Sequence, residues 1–167
     1  MHTAEKILKG KGVEKAVREI SIKDFDHIKI GHAQDLQAAT GCSVLLFENG
    51  ATAGVDVRGG GPASRETQLL SPLASAQEIH AILLSGGSAF GLDAAGGVMR
   101  YLEEKKIGFD TGIAKVPLVC TSCIFDLGIG SSDVRPDAQM AYEACINAKR
   151  ETAQGNVGVA TGATVGK

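Results

Sequence analysis

Ile79-His80-Ala81-Ile82-Leu83-Leu84-Ser85-Gly86-Gly87-Ser88-Ala89-Phe90-Gly91-Leu92 decides the fold class. The apolar run Ile79–Leu84 is short enough for a buried strand, and Ser85-Gly86-Gly87-Ser88 punctuates it as a tight turn. Beyond the turn, a helix is expected over about Leu92–Lys105. Val98 and Leu102 lie on one face of it, and Glu103-Glu104-Lys105-Lys106 marks its exposed end. Gly96-Gly97 sits inside this helix at a cost of roughly 1 kcal/mol per glycine relative to alanine, with no function attached to the pair.

Upstream, Ile28-Lys29-Ile30 reads as strand, followed by a polar stretch from His32-Ala33-Gln34-Asp35 to Gly41. Cys42–Phe47 and Ala51–Val57 flank Asn49-Gly50, a dipeptide that accepts positive φ and signals a hairpin. Arg58–Thr67 is a loop by its glycines and proline. Downstream, Val116–Phe125 is an apolar strand candidate, and Asp137 can N-cap a helix reaching about Arg150, with Met140, Tyr142 and Ala144 available for burial. The charged segment Ala4–Ile22 carries Val13, Val17 and Ile20 at helical spacing after Gly10 and Gly12, and residues 1–25 read as an N-terminal extension. Hairpin and strand-turn-helix signals together give a layered α/β or α+β domain with no internal repeat or linker.

The chain has 167 residues, and its net charge of −2 offers no electrostatic case for nucleic acid or an anionic membrane. The 22 glycines, with only 5 Phe, 2 Tyr and no Trp, demand a core of small aliphatics and close backbone layers. No apolar run approaches the ~20 residues that span a bilayer, and the first residues lack a secretion signal. Four scattered cysteines make no disulfide scaffold, so a reducing, cytoplasmic location is expected.

Several motifs fail on spacing. Around Ser88 the nucleophile-elbow pattern lacks its last glycine, because Phe90 stands there and Gly91 comes one residue late. Gly86, Gly87 and Gly91 miss the dinucleotide spacing, which leaves a packing turn or a substrate-contacting turn. Gly162-Ala163-Thr164-Val165-Gly166-Lys167 is one residue short of a phosphate loop and lacks its hydroxyl residue. Cys120 and Cys123 have clip spacing but strand-like flanks and no second knuckle, so buried inert thiols are expected and no metal or cofactor. His27, His32 and His80 are scattered and read as structural or surface residues. Asn156, inside the closing run Gly155–Lys167, has two readings. Its amide can donate to a developing oxyanion, or it can cap the end of the preceding helix in αL geometry.

Taken together, several segments resemble the L-aminopeptidase/D-esterase (DmpA-like) family, which includes the β-peptidyl aminopeptidases. They are Thr40-Gly41-Cys42, Gly50–Gly60, Arg65-Glu66-Thr67, Gly86–Ala95, Phe125-Asp126-Leu127-Gly128, Arg135-Pro136-Asp137 and the closing run. The resemblance implies an αββα sandwich, shared with ornithine acetyltransferase, of which residues 28–167 are the α-subunit-like region. It implies a precursor that cuts itself, freeing a serine or threonine as nucleophile with its own α-amine as base. Asn156 matches the family's oxyanion asparagine, and Gly87 and Ser88 are placed against the substrate. The implied partners are a peptide or small amide, the β-subunit segment of the same precursor, and further copies in a homo-oligomer. The nucleophile is expected beyond Lys167, so this chain alone is expected to hydrolyse nothing. The alternatives are an inactive or partner-binding remnant of that family, and an acyltransferase of the ornithine acetyltransferase kind.

Overall fold

The structure is a computed structural model that describes residues 19–165 and the backbone of a short antiparallel pair, Lys6–Ile7 (β1) and Ala16–Val17 (β2). Val17 therefore lies in a strand rather than on a helix, and Ile20 is exposed before a 3-10 turn at Ile22–Asp24. At Val17 the helical spacing gives way to strand pairing with β1. Gly10, Gly12 and Val13 lie outside the described residues.

β3 (Lys29–Asp35) and β4 (Thr40–Ala51) form an antiparallel hairpin, paired from Lys29 opposite Leu46 to Asp35 opposite Thr40. Its turn is held by the Asp35 carboxylate, which accepts from the amides of Gln37 at 2.9 Å and Ala38 at 2.8 Å. The polar stretch expected from His32 is thus strand as far as Asp35. The Asn49-Gly50 hairpin does not form, and β4 runs straight through it. The other edge of β4 is taken by β6 (Ile79–Ser85), and the register slips between Leu46 opposite Ala81 and Ala51 opposite Ile79. Gly50 keeps its positive φ of 78° and serves this irregularity instead of a turn. Val55 and Val57, expected in the second arm, are exposed.

β5 (Ser64–Arg65) lies within the expected loop and pairs with β9 (Val119–Cys123), which runs parallel to β6. The sheet order is β3-β4-β6-β9-β5. Between β6 and β9 come a 3-10 stretch (Ser88–Ala94), helix α1 (Ala95–Glu104) and a small hairpin of β7 (Phe109–Asp110) with β8 (Lys115–Val116). Pro117 lacks the N–H that would carry Val116 into β9. Helix α2 (Ala138–Ile146) starts on Asp137, whose carboxylate accepts from the Met140 amide at 2.8 Å. It stops short of Arg150 because Lys149 pairs with Ile30 as a β-bridge, donating at 3.1 Å and accepting at 3.0 Å.

Alternation along the strands fixes the core. Cys42, Val44, Leu46, Ala81, Leu83 and Val119 face α1 and α2, meeting Val98, Leu102, Ala141, Ala144 and Cys145, all buried. Small residues let the layers close. A Cβ on Gly97 would run into the Ala138 carbonyl and sit 2.9 Å from the Tyr142 amide nitrogen, so α1 crosses α2 at backbone contact. Gly97 therefore has a packing reason. Gly96 has none, since its Cβ would meet only the Ala138 Cβ at 3.9 Å. The opposite sheet face buries Phe47, Ile79 and Cys120 but leaves Leu45 and Ile82 half-buried and Leu84 37% exposed. The described residues thus supply one helical layer on one sheet in a mixed α/β fold. No described helix is long and apolar enough to cross a membrane.

Candidate active site

At the end of β6 the chain turns sharply, and the parallel register with β9 continues past both strand ends. Ile124 donates its amide to the Ser85 carbonyl and Ser88 donates to that of Ile124, each at 2.9 Å. Gly87 has φ of 80° and Ser88 of 53°, two successive residues in the left-handed region, of which glycine bears the first at no steric cost. Packing demands the other two glycines. A Cβ on Gly86 would strike Asp126 and Thr40, and one on Gly91 would strike the Gly86 carbonyl. This answers why neither glycine motif has its proper spacing: the glycines serve a fold that closes on itself. The Ser88 side chain is half-buried.

The turn closes on Asp126, which is 2% exposed. Its Oδ1 accepts from the Gly87 amide at 2.6 Å and its Oδ2 from the Thr40 hydroxyl at 2.7 Å. No basic side chain pairs with it among the described residues. A carboxyl group taken out of water needs such donors in its place, and these two bonds hold three chain segments to one point. The closing run reaches the same point, since a Cβ on Gly162 would lie 2.7 Å from Asp126 Oδ2.

The closing run begins as an open bend and ends as a packed turn. Gly155 has φ of 97° with nothing near its absent Cβ, and its carbonyl accepts from the Val157 amide at 2.9 Å. Asn156 sits on this bend, exposed. It does not cap α2, which ended at Ile146, so the capping reading falls. From Gly158 the chain becomes a 3-10 turn (Gly158–Gly162) anchored by side chains of the first hairpin. The Gly158 amide donates to Gln34 Oε1 at 2.8 Å, and the Val159 amide to Ser43 Oγ at 3.1 Å. Ser43 in turn shares a 2.9 Å hydrogen bond with His32 Nδ1. Burial lowers the His32 pKa, against a smaller opposing effect from the Ala153 backbone.

His32 thus has partners that its scattered place in the sequence conceals. His80 is structural: its Nδ1 accepts from the Leu118 amide at 3.2 Å, and burial lowers its pKa. Cys120 and Cys123 stand three apart on a strand and so face opposite ways. Burial and Asp126 push the Cys123 thiol to about 11, and burial raises Cys120 as well. Cys42 and Cys145 are pushed to about 12, chiefly by burial. All four are free thiols, protonated near neutral pH and poor nucleophiles. A cavity of about 200 Å³ opens at the opposite end of β6, between Thr52, Leu70, Gln77 and Glu78, and neither Gly87, Ser88, Asp126 nor Asn156 lines it.

Sequence reasoning passed over Asp126, Thr40, Gln34 and Ser43. Asp126 and Thr40 do lie in stretches that carry the family resemblance.

The family model described as Peptidase family S58 matches residues 21–167. A protein of Mycobacterium tuberculosis named as an uncharacterized aminopeptidase is 44% identical over 154 residues, covering 87% of this chain and 45% of the relative. A 6-aminohexanoate-oligomer endohydrolase of an Agromyces species is 34% identical over 152 residues, covering 90% and 40% respectively. The chain thus spans less than half the length of these relatives. Among solved structures, the L-aminopeptidase D-Ala-esterase/amidase of Ochrobactrum anthropi, an Ntn-hydrolase fold, superposes with a TM-score of 0.67 at 14% identity, covering 84% of this chain and 43% of that one. A Burkholderia β-aminopeptidase gives 0.59 at 20% identity, covering 95% and 46%.

Proposed function

Since this chain belongs to peptidase family S58, we propose that it forms the α-subunit part of a self-cleaving amide-bond hydrolase of the N-terminal-nucleophile type, acting as an aminopeptidase. The observation that supports the reading is the meeting of two glycine-rich segments at Asp126, which accepts from the Gly87 amide and lies against Gly162 of the closing run that carries Asn156.

The chemistry divides between this chain and a serine or threonine that follows the closing run. Freed by cleavage, that residue carries an α-amine with a pKa near ~7.7–8, neutral often enough near physiological pH to take the hydroxyl proton. The alkoxide attacks the amide carbonyl, and Asn156 donates to the oxygen on which charge develops. The α-ammonium returns its proton to the leaving amine, and water then opens the acyl-enzyme. Gly87 and Ser88 line the substrate's path. No metal or cofactor is needed for these steps. The half-bare sheet face at Leu45, Ile82 and Leu84 suits a second sheet from the β-subunit segment. We place the enzyme in the cytoplasm as a homo-oligomer, with a peptide or small amide as substrate.

Two measurements on the protein as encoded test this. Intact mass should reveal a second fragment beginning with serine or threonine, and an aminoacyl p-nitroanilide should be turned over. An uncleaved, inert product would sink the reading, and acetyl transfer between ornithine and glutamate would replace it with an acyltransferase.

A further inference from the structure

The arginines of the described residues are not alike. Arg58 and Arg150 reach Asp56 and Asp26, Arg100 reaches Gln139, and Arg65 reaches the Met99 sulfur. Arg135 alone has only a ring beneath it, with its guanidinium carbon 4.1 Å from the Phe90 centroid. The carboxylates closest to it in the chain do not answer it. Asp137 is engaged as the cap of α2, and Asp133 makes no ion pair among the described residues. Five N–H donors in a rigid fork are therefore left for something else, and that geometry matches a carboxylate taken two bonds at a time.

The placement points to the substrate. A Cβ on Gly87 would touch the Arg135 Cβ at 3.2 Å and Pro136 Cδ at 3.3 Å, so the root of this arginine is packed on the candidate turn. Phe90 is 60% exposed and Phe125, next to the Ile124 carbonyl that holds Ser88, is 59% exposed. In a chain with so few aromatics, a ring as exposed as Phe90 beside this turn offers apolar surface to a ligand. The fork is also pre-organised. Pro136 is buried and confines Arg135 to extended backbone, while the ring restricts its side chain, so little freedom is lost on binding.

We propose that Arg135, stacked on Phe90, is a carboxylate receptor at the substrate site. The preferred amides then carry a free carboxylate on the leaving side of the scissile bond. This rests on the hydrolase reading above and adds the substrate's charge to it.

The test uses the full protein with L-alanyl-L-alanine and L-alanyl-L-alaninamide, which differ only in the charge of the leaving side. Wild-type enzyme should favour the acid in kcat/KM. Arg135→Gln should cut the acid-to-amide ratio about tenfold or more, the scale of one hydrogen-bonded charge, mainly through KM. Arg135→Lys, which keeps charge but loses the fork, should retain part of the preference. If Arg135→Gln does not fold, Phe90→Leu, which removes the ring and keeps apolar bulk, should lower the ratio as well. A wild-type enzyme without preference for the acid overturns the receptor, and so do equal losses on both peptides. Turnover of an aminoacyl p-nitroanilide, which has no carboxylate, reports on the hydrolase reading by itself and so separates its failure from that of the receptor.

Discussion

The two glycine-rich turns use glycine for different reasons. In the turn after β6, Gly86 and Gly91 are demanded by atoms already in place, and the Gly87 amide is spent on Asp126. In the bend at Gly155–Asn156, space is open around the glycine and the asparagine is exposed. One turn is fixed by the packing around it. The other is held only from behind, through Gly158 on Gln34 and Val159 on Ser43. The packed turn should therefore govern stability and the open bend turnover.

The largest break in that comparison is Gly91→Ala. Its Cβ would enter the Gly86 carbonyl, a backbone obstacle that cannot rotate away. Overpacking of this kind costs typically 1–3 kcal/mol and here belongs at the top of that range or above it. Denaturant unfolding should show a loss of about 3 kcal/mol or more, and a loss under about 0.5 kcal/mol would mean that the turn is not packed as described.

Asp126→Ala comes next. It leaves the Gly87 amide and Thr40 hydroxyl buried without acceptors, a cost of about 1–3 kcal/mol for each unsatisfied group. Asp126→Asn keeps an acceptor for Gly87 and should recover much of this. Equal losses for the two variants would show that charge, not hydrogen bonding, is what the site needs.

A smaller effect is expected from acid at the back of the bend. His32 has a pKa lowered from 6.5 by burial, so the unfolded chain takes up this proton before the folded one does. Its contribution is intact above about 6.5 and is lost as pH falls from there through the lowered folded value. The Val159 amide, held by Ser43, should lose exchange protection over that window in the wild type and not in His32→Gln. Identical profiles would dissociate the histidine from the closing run.

What could be read from the sequence follows how far each interaction reaches along the chain. The strand-turn-helix order from Ile79 to Glu104 and the Asp137 cap are local, and the structure has them. The Asn49-Gly50 hairpin was a sound local signal that lost to pairing partners on both edges of β4. The Asp126 clamp was invisible because Thr40 lies 86 residues away, and nothing in either stretch announces the other. Gly97 likewise looked like a defect until α2 was laid across it.

The central claim is that Asn156 serves the reaction and not the fold. The most direct test compares Asn156→Ala with wild type in both unfolding and turnover of an aminoacyl p-nitroanilide by the complete, processed protein. The unfolding free energy should change by less than about 0.5 kcal/mol, as for an exposed site. Turnover should fall by a factor of about 10²–10³, with much less change in KM. A stable variant that keeps wild-type kcat, or one that loses kcat only by unfolding, would contradict the account.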